Sequence, residues 1–171
     1  ASGVPFALLQ VDIDFFKAYN DYYGYARGDQ AIQALSRILV EAAGHHGEGN
    51  FVGHIGGDDF VLLTSTEHAE AVGQEIIEAF NAAVPGMYDP EDRERGYVEV
   101  LGRRHDVERF PLMSVTIAMV STDHAQVSHL AQLADIAQEI KAHGKGIPGS
   151  VLVGERRRVG DAASDTERHA A

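Results

Sequence analysis

Two acid-tipped apolar runs constrain this chain more than any other feature. Pro5-Phe-Ala-Leu-Leu-Gln-Val-Asp-Ile13 is short and almost wholly apolar, and it leads through Asp12 into Asp14; such a run reads as a buried strand. Phe51-Val-Gly-His-Ile-Gly-Gly-Asp-Asp-Phe60 breaks at Gly56 and Gly57 and resumes as an apolar run. Backbone without a Cβ turns tightly and leaves room for a bulky ligand, so strands are expected at Phe51–Ile55 and Phe60–Thr64 in a β-hairpin. If the strands ending at Asp12 and beginning at Asp58 lie side by side, their acids converge on one point. Converging acids beside side-chain-free backbone suit Mg²⁺ with a nucleotide phosphate, since Mg²⁺ takes one or two protein carboxylates and fills its other positions with phosphate oxygens and water.

The remaining pattern alternates helix and strand. Asp14 is placed to cap a helical turn that runs through Asn20. From Asp29, Ile32, Leu35, Leu39 and Ala42 recur at helical spacing until Gly44. Glu67 to Val84 forms the next helix, with Val72, Ile76, Ile77 and Phe80 inward and Pro85-Gly86 at its end. Residues 86–110 are less regular, with a small hairpin of Tyr97–Leu101 and Val107–Phe110 across Gly102. A central strand follows at Leu112–Val120. A helix over His124–His143 carries Val127, Leu130, Leu133, Ile136 and Ile140 on one stripe, and Gly144 to Gly149 separates it from a last strand at Ser150–Val153. This order predicts an α+β fold, an antiparallel-containing central sheet flanked by helices. Residues 1–154 form one domain; 155–171, polar and with the basic run Arg156-Arg-Arg158, are expected to be a disordered tail.

Composition narrows the function classes. A chain of 171 residues can bury a core as a single domain, and with no cysteine it has neither disulfides nor a thiolate metal site. A net charge of −12 argues against a nucleic-acid-binding surface. The sequence has no apolar stretch of membrane-spanning length and no signal peptide, so no membrane contact by this domain is expected.

Asp12-Ile-Asp-Phe-Phe-Lys-x-x-Asn-Asp21, then Gly24 and Gly28-Asp29, followed by Gly56-Gly-Asp-Asp-Phe60, resemble the GGDEF domain, or diguanylate cyclase, family. They match its D-x-D-x-F-K-x-x-N-D-x-x-G-(x)3-G-D segment and signature loop in order and spacing, and the resemblance extends from about Phe6 to Val153. It implies the palm-like nucleotidyl cyclase fold of that family. It also implies a Mg²⁺-dependent (or Mn²⁺-dependent) condensation of two GTP into cyclic di-GMP across a homodimer in a bacterial signalling protein. By the resemblance, Asp12, the Ile13 carbonyl and Asp58 bind the metal, and Asp59 is a further ligand or helps deprotonate the attacking hydroxyl, so Asp58 and Asp59 are the catalytic pair. Asn20 and Asp29 select guanine, Lys141 and Lys145 bind phosphates, and Phe16, Lys17, Gly56 and Gly57 complete the substrate site. Read without the family, Asp14 and Asp29 are equally helix caps, Asp58-Asp59 a hairpin turn, and the lysines favourable charges at a helix C-terminus.

The chain departs from the family at several places. Asp59 stands where the family has Glu, Lys145 where it has Arg, His54 where an Arg precedes the loop, and Ala118 for a glycine. The R-x-x-D product-inhibition motif has Gly47 and Asn50 instead. One methylene less withdraws the Asp59 carboxylate by roughly 1.5 Å, so a second reading is a catalytically weak, GTP-binding regulatory or dimerisation module. A third resemblance, of the Gly-Gly-Asp-Asp loop to CRISPR-associated cyclic oligoadenylate synthases, fits less well because Asn20 and Asp29 suit guanine. The start at Ala1-Ser-Gly and the missing L-T-G-L-x-N-R helix suggest an excised piece. Its parent would carry an N-terminal sensory or receiver domain, and this domain would sit in the cytoplasm even if the parent is membrane-anchored.

Overall fold

Side chains of a strand alternate between two faces, and three strands of this chain use that alternation to build two unlike surfaces. The computed structural model describes residues 4–123 and 130–155. Its main sheet has five strands in the order β2 (Phe51–Gly56), β3 (Asp59–Ser65), β1 (Phe6–Asp14), β6 (Ser114–Ser121) and β7 (Val151–Gly154). β1 runs antiparallel to β3 and β6, β2 antiparallel to β3, and β7 parallel to β6.

Ala7, Leu9, Val11 and Ile13 of β1 join Phe60, Leu62, Val115 and Ile117 in the main core. Two helices, α2 (Tyr25–His45) and α3 (Ala69–Ala83), close that core with Leu35, Leu39, Val72, Ile76 and Phe80. The other face meets α5 (Leu130–Gly144), where Leu8, Ala118, Val120, Leu133 and Ala137 form a smaller cluster. Ala118, in place of the family's glycine, is fully buried there.

Four further elements hold the periphery: α1 (Phe16–Tyr23), α4 (Pro90–Arg95) and the two-stranded sheet of β4 (Tyr97–Leu101) and β5 (Val107–Pro111). Asp92, buried in α4, accepts hydrogen bonds from Tyr22, Tyr23 and Arg95. Burial and then the Asp92 hydrogen bond push the Tyr23 hydroxyl up to about 12, so it stays a donor. Tyr19 and Tyr88 pack edge to face at 5.1 Å, and the Tyr19 hydroxyl donates to the Met87 carbonyl at 2.7 Å. α1 is therefore pinned against the segment around α4.

The expected α+β layering holds, with local corrections. Asp14 is not a helix cap: β1 continues through it, and α1 is preceded by Phe15 in the left-handed region at φ 61 with no side-chain cap. α2 starts at Tyr25, after a break at Gly24, so Asp29 lies within the helix and caps nothing. Residues 86–110, expected to be less regular, contain α4 as well as the hairpin, and a 3-10 turn carries Val84–Met87 over Pro85-Gly86. The central strand begins at Ser114. Helix positions 124–129, with Val127, and tail residues 156–171 lie outside the described residues. Among the described residues no helix is long and apolar enough to cross a membrane.

Candidate functional site

The face of the sheet toward α5 changes character along its length. On β1 it passes from Leu8 through Gln10 to Asp12 and Asp14, and on β6 it passes from Val120 and Ala118 to Thr116 and Ser114. The register sets Asp12 opposite Asp59 and also opposite Thr116, while Asp14 faces Ser114. The β2–β3 turn is made by Gly56 at φ 156 and Gly57 at φ 55, backbone that L side chains rarely adopt. It places Asp58, next to Asp59, beside Asp12. Asp12 and Asp14 of β1, Asp59 of β3 and Asp58 of the adjoining turn thus lie at one end of the sheet.

Two lysines approach from α5 and the residue just beyond it. An ideal Cβ on Gly144 would lie 2.8 Å from the Thr116 methyl, so glycine lets the helix end come down onto β6. Lys141 Nζ lies 2.8 Å from Asp59 Oδ1 and 3.5 Å from Asp12 Oδ2. Lys145 Nζ lies 3.1 Å from Asp12 Oδ2, 3.0 Å from Asp14 Oδ1 and 3.5 Å from the Ile13 carbonyl. Asp14 also accepts hydrogen bonds from Ser114 Oγ at 2.6 Å and Thr116 Oγ1 at 2.7 Å. The sequence pattern assigned Asp14 elsewhere. Its place two residues after Asp12 on a strand was the signal that it shares the site's face.

The electrostatics follow from this crowding. Burial first, then the hydrogen bond and negative charge of Asp12, push the Asp58 carboxyl up to about 7. Burial pulls the Lys145 ammonium down, but Asp14 and Asp12 outweigh it and hold the group above its ordinary value.

The other expected substrate residues fall into two sets. Asn20 on α1 is half-buried against Gly28 of α2, with its Oδ1 buried and unpaired. Asp29, the next residue, is exposed. Phe16 packs its ring against the main core, which leaves its backbone for any ligand contact. Lys17 is exposed and paired with Asp21 at 2.6 Å. His54 was overlooked as a support: its ring stacks on Phe60 at 4.4 Å, and Nε2 donates to the Gly57 carbonyl at 2.7 Å, bracing the turn. Asn50 closes the end of α2 through the Ala43 and Gly47 carbonyls.

Among the described residues no three acid or imidazole side chains are gathered closely enough to hold a metal by themselves. Asp12, Asp58 and the Ile13 carbonyl nevertheless fit a hard divalent cation. They are oxygen donors, no more than two of them are carboxylates, and the Lys145 ammonium already rests among Asp12, Asp14 and that carbonyl. A cation there would also relieve the repulsion that raises Asp58.

The family model described as "Diguanylate cyclase, GGDEF domain" matches residues 1–146. Diguanylate cyclase DgcM of Escherichia coli is 43% identical over 63 residues, covering 37% of this chain and 15% of that protein. An uncharacterized protein of Mycobacterium tuberculosis is 27% identical over 169 residues, 96% of this chain and 24% of its own length. The chain thus spans a quarter or less of these two relatives. The crystal structure of the GGDEF domain of DgcB from Caulobacter crescentus, in complex with c-di-GMP, superimposes with a TM-score of 0.61 at 19% identity, over 88% of this chain and 77% of that one. That likeness establishes the shared fold.

Proposed function

The chain belongs to the GGDEF, diguanylate cyclase, family, and from that premise we propose that the acid end of its sheet binds GTP with Mg²⁺ or Mn²⁺ and condenses two GTP into cyclic di-GMP across a homodimer. The observation that carries this reading is Asp12 set opposite Asp59, with Asp58 in the adjoining turn and Lys141 and Lys145 closing over them. A purely structural cluster would not need two carboxylates forced together at partial burial.

In the proposed reaction the 3′-hydroxyl oxygen of each GTP forms a bond to the α-phosphorus of the other, and each α-phosphorus loses its bond to the β-phosphate oxygen, so that two pyrophosphates are released. The divalent cation, when bound, neutralises phosphate charge in this displacement. Asp12, Asp58 and the Ile13 carbonyl hold it. Lys141 and Lys145 exchange their carboxylate partners for phosphate oxygens, so the free site keeps both positioned. Asp59 orients the attacking hydroxyl or takes its proton, and Asn20 and Asp29 read the guanine edge. The reading places the domain in the cytoplasm, behind a sensory or receiver domain that brings two copies together.

A second reading, a GTP-binding regulatory module, is favoured by one observation: the shorter Asp59 side chain is engaged by Lys141 at 2.8 Å. Incubating the domain, dimerised through a fused coiled coil, with Mg²⁺ and GTP or ATP and resolving products by mass separates the readings. Cyclic di-GMP from GTP alone is expected. GTP binding without product would leave the regulatory reading.

A further inference from the structure

We propose that Gly28 is a positioning residue for base recognition: lacking a side chain, it lets Asn20 hold its amide oxygen unpaired at the place where a guanine base donates. This rests on the reading of the site as a GTP site. An ideal Cβ on Gly28 would fall 1.7 Å from Asn20 Oδ1 and 2.8 Å from its Cγ. Gly28 is buried within α2, its N–H bonded to the Gly24 carbonyl at 3.2 Å, and it is absent from the positive-φ glycines. The backbone therefore does not demand glycine. The neighbouring amide does.

Among the described residues, Asn20 Oδ1 is one of the few buried side-chain oxygens without a hydrogen-bond partner. A buried acceptor left unpaired is costly unless a ligand completes it. Guanine offers N1–H and an exocyclic amino group at the edge where adenine offers an acceptor, so the orphan oxygen suits guanine. α1 cannot back away from an added methyl, because Tyr19, Tyr22 and Tyr23 tie it to Met87 and Asp92. The amide, the free end of a side chain, would turn instead. Alanine is also the better helix former. Gly28→Ala should thus preserve the fold and lose the oriented amide.

The test is a double-variant cycle with Gly28→Ala, Asn20→Ala and both together, measuring calorimetric Kd for a non-cleavable α,β-methylene GTP with Mg²⁺, its ATP and ITP counterparts, and melting temperature. Gly28→Ala is expected to weaken GTP binding on the order of tenfold and to shrink the preference over ITP, which lacks the amino group, to that of Asn20→Ala, while melting at or above wild type. The double variant should match Asn20→Ala. Wild-type GTP affinity in Gly28→Ala, or a further loss from Gly28→Ala in the Asn20→Ala background, would overturn the assignment while leaving the GTP reading standing. If Gly28→Ala does not fold, the comparison of Asn20→Ala with the double variant decides alone. Wild-type protein that binds ATP as well as GTP would overturn the guanine reading itself, and this inference with it.

Discussion

The two faces of the central sheet are made by alternate residues of the same strands, yet they serve different ends. Toward α2 and α3, Leu9, Val11, Ile13, Leu62 and Ile117 are fully or almost fully buried in continuous apolar packing. Toward α5, the apolar cluster of Leu8, Ala118 and Val120 gives way within two strand positions to Asp12, Asp14, Thr116 and Ser114. One face stabilises the fold along its whole length. The other does so at one end and tolerates like-charge crowding at the other, the pattern expected where a local rule is broken for function.

The largest effect should come from the acid end. Asp12→Asn or Asp58→Asn removes a carboxylate assigned to the metal, so turnover should fall on the order of 10³-fold or more; the melting temperature should be unchanged or raised in Asp58→Asn and only modestly lowered in Asp12→Asn, which also takes a partner from Lys141 and Lys145. Wild-type turnover in either variant would sink the metal assignment. Leu9→Ala on the opposite face should show the reverse pattern. A cavity at that site costs about 3 kcal/mol of stability, read by urea denaturation, while the molecules that remain folded keep their turnover number. Comparable losses of stability from Leu9→Ala and Asp12→Asn would erase the distinction between the faces.

Asp59→Glu comes next. Restoring the longer acid should raise turnover by about tenfold, well within what misplacement by one methylene can cost, with little change in GTP affinity, as for an interaction expressed mainly in the transition state. A slower Glu variant would show that the loop is adapted to aspartate. The smallest effect concerns pH. Because folding raises Asp58 from 3.8 to about 7, the folded state binds the extra proton between those values. Stability from this group is therefore greatest at low pH and is lost as pH rises toward and through 7. In metal-free buffer Asp58→Asn should thus be more stable than wild type at pH 8, by about 1 kcal/mol after screening, and no more stable near pH 4. Equal stabilities at pH 8 would mean the two carboxylates do not crowd one another.

Much of this was legible in the sequence because it rests on local rules. The strand run to Asp12, the Gly56-Gly57 turn and the Leu133, Ile136, Ile140 stripe follow from periodicity and backbone freedom. The expected convergence of Asp12 and Asp58 needed only the correct pairing of β1 with β3. Asp14 was misplaced because its partners, Ser114 and Thr116, are a hundred residues away in sequence and only the β1–β6 register brings them together. Asp29 looked like a cap because Gly24, which breaks α1 from α2, lies eight residues before Ile32, where the apolar pattern of the helix begins. The block of Tyr19, Tyr23, Tyr88 and Asp92 carries no periodic signal, since it joins α1 to an irregular segment.

The central claim is that Asp12 and Asp58 form a divalent-cation site completed by a guanine nucleotide. Electron paramagnetic resonance of Mn²⁺ titrated into the domain with non-cleavable GTP tests it most directly. The account predicts one tightly bound Mn²⁺ per chain, dependent on the nucleotide and lost in both Asp12→Asn and Asp58→Asn. Retention of that Mn²⁺ signal in the two variants, or its appearance in equal strength without nucleotide, would contradict it.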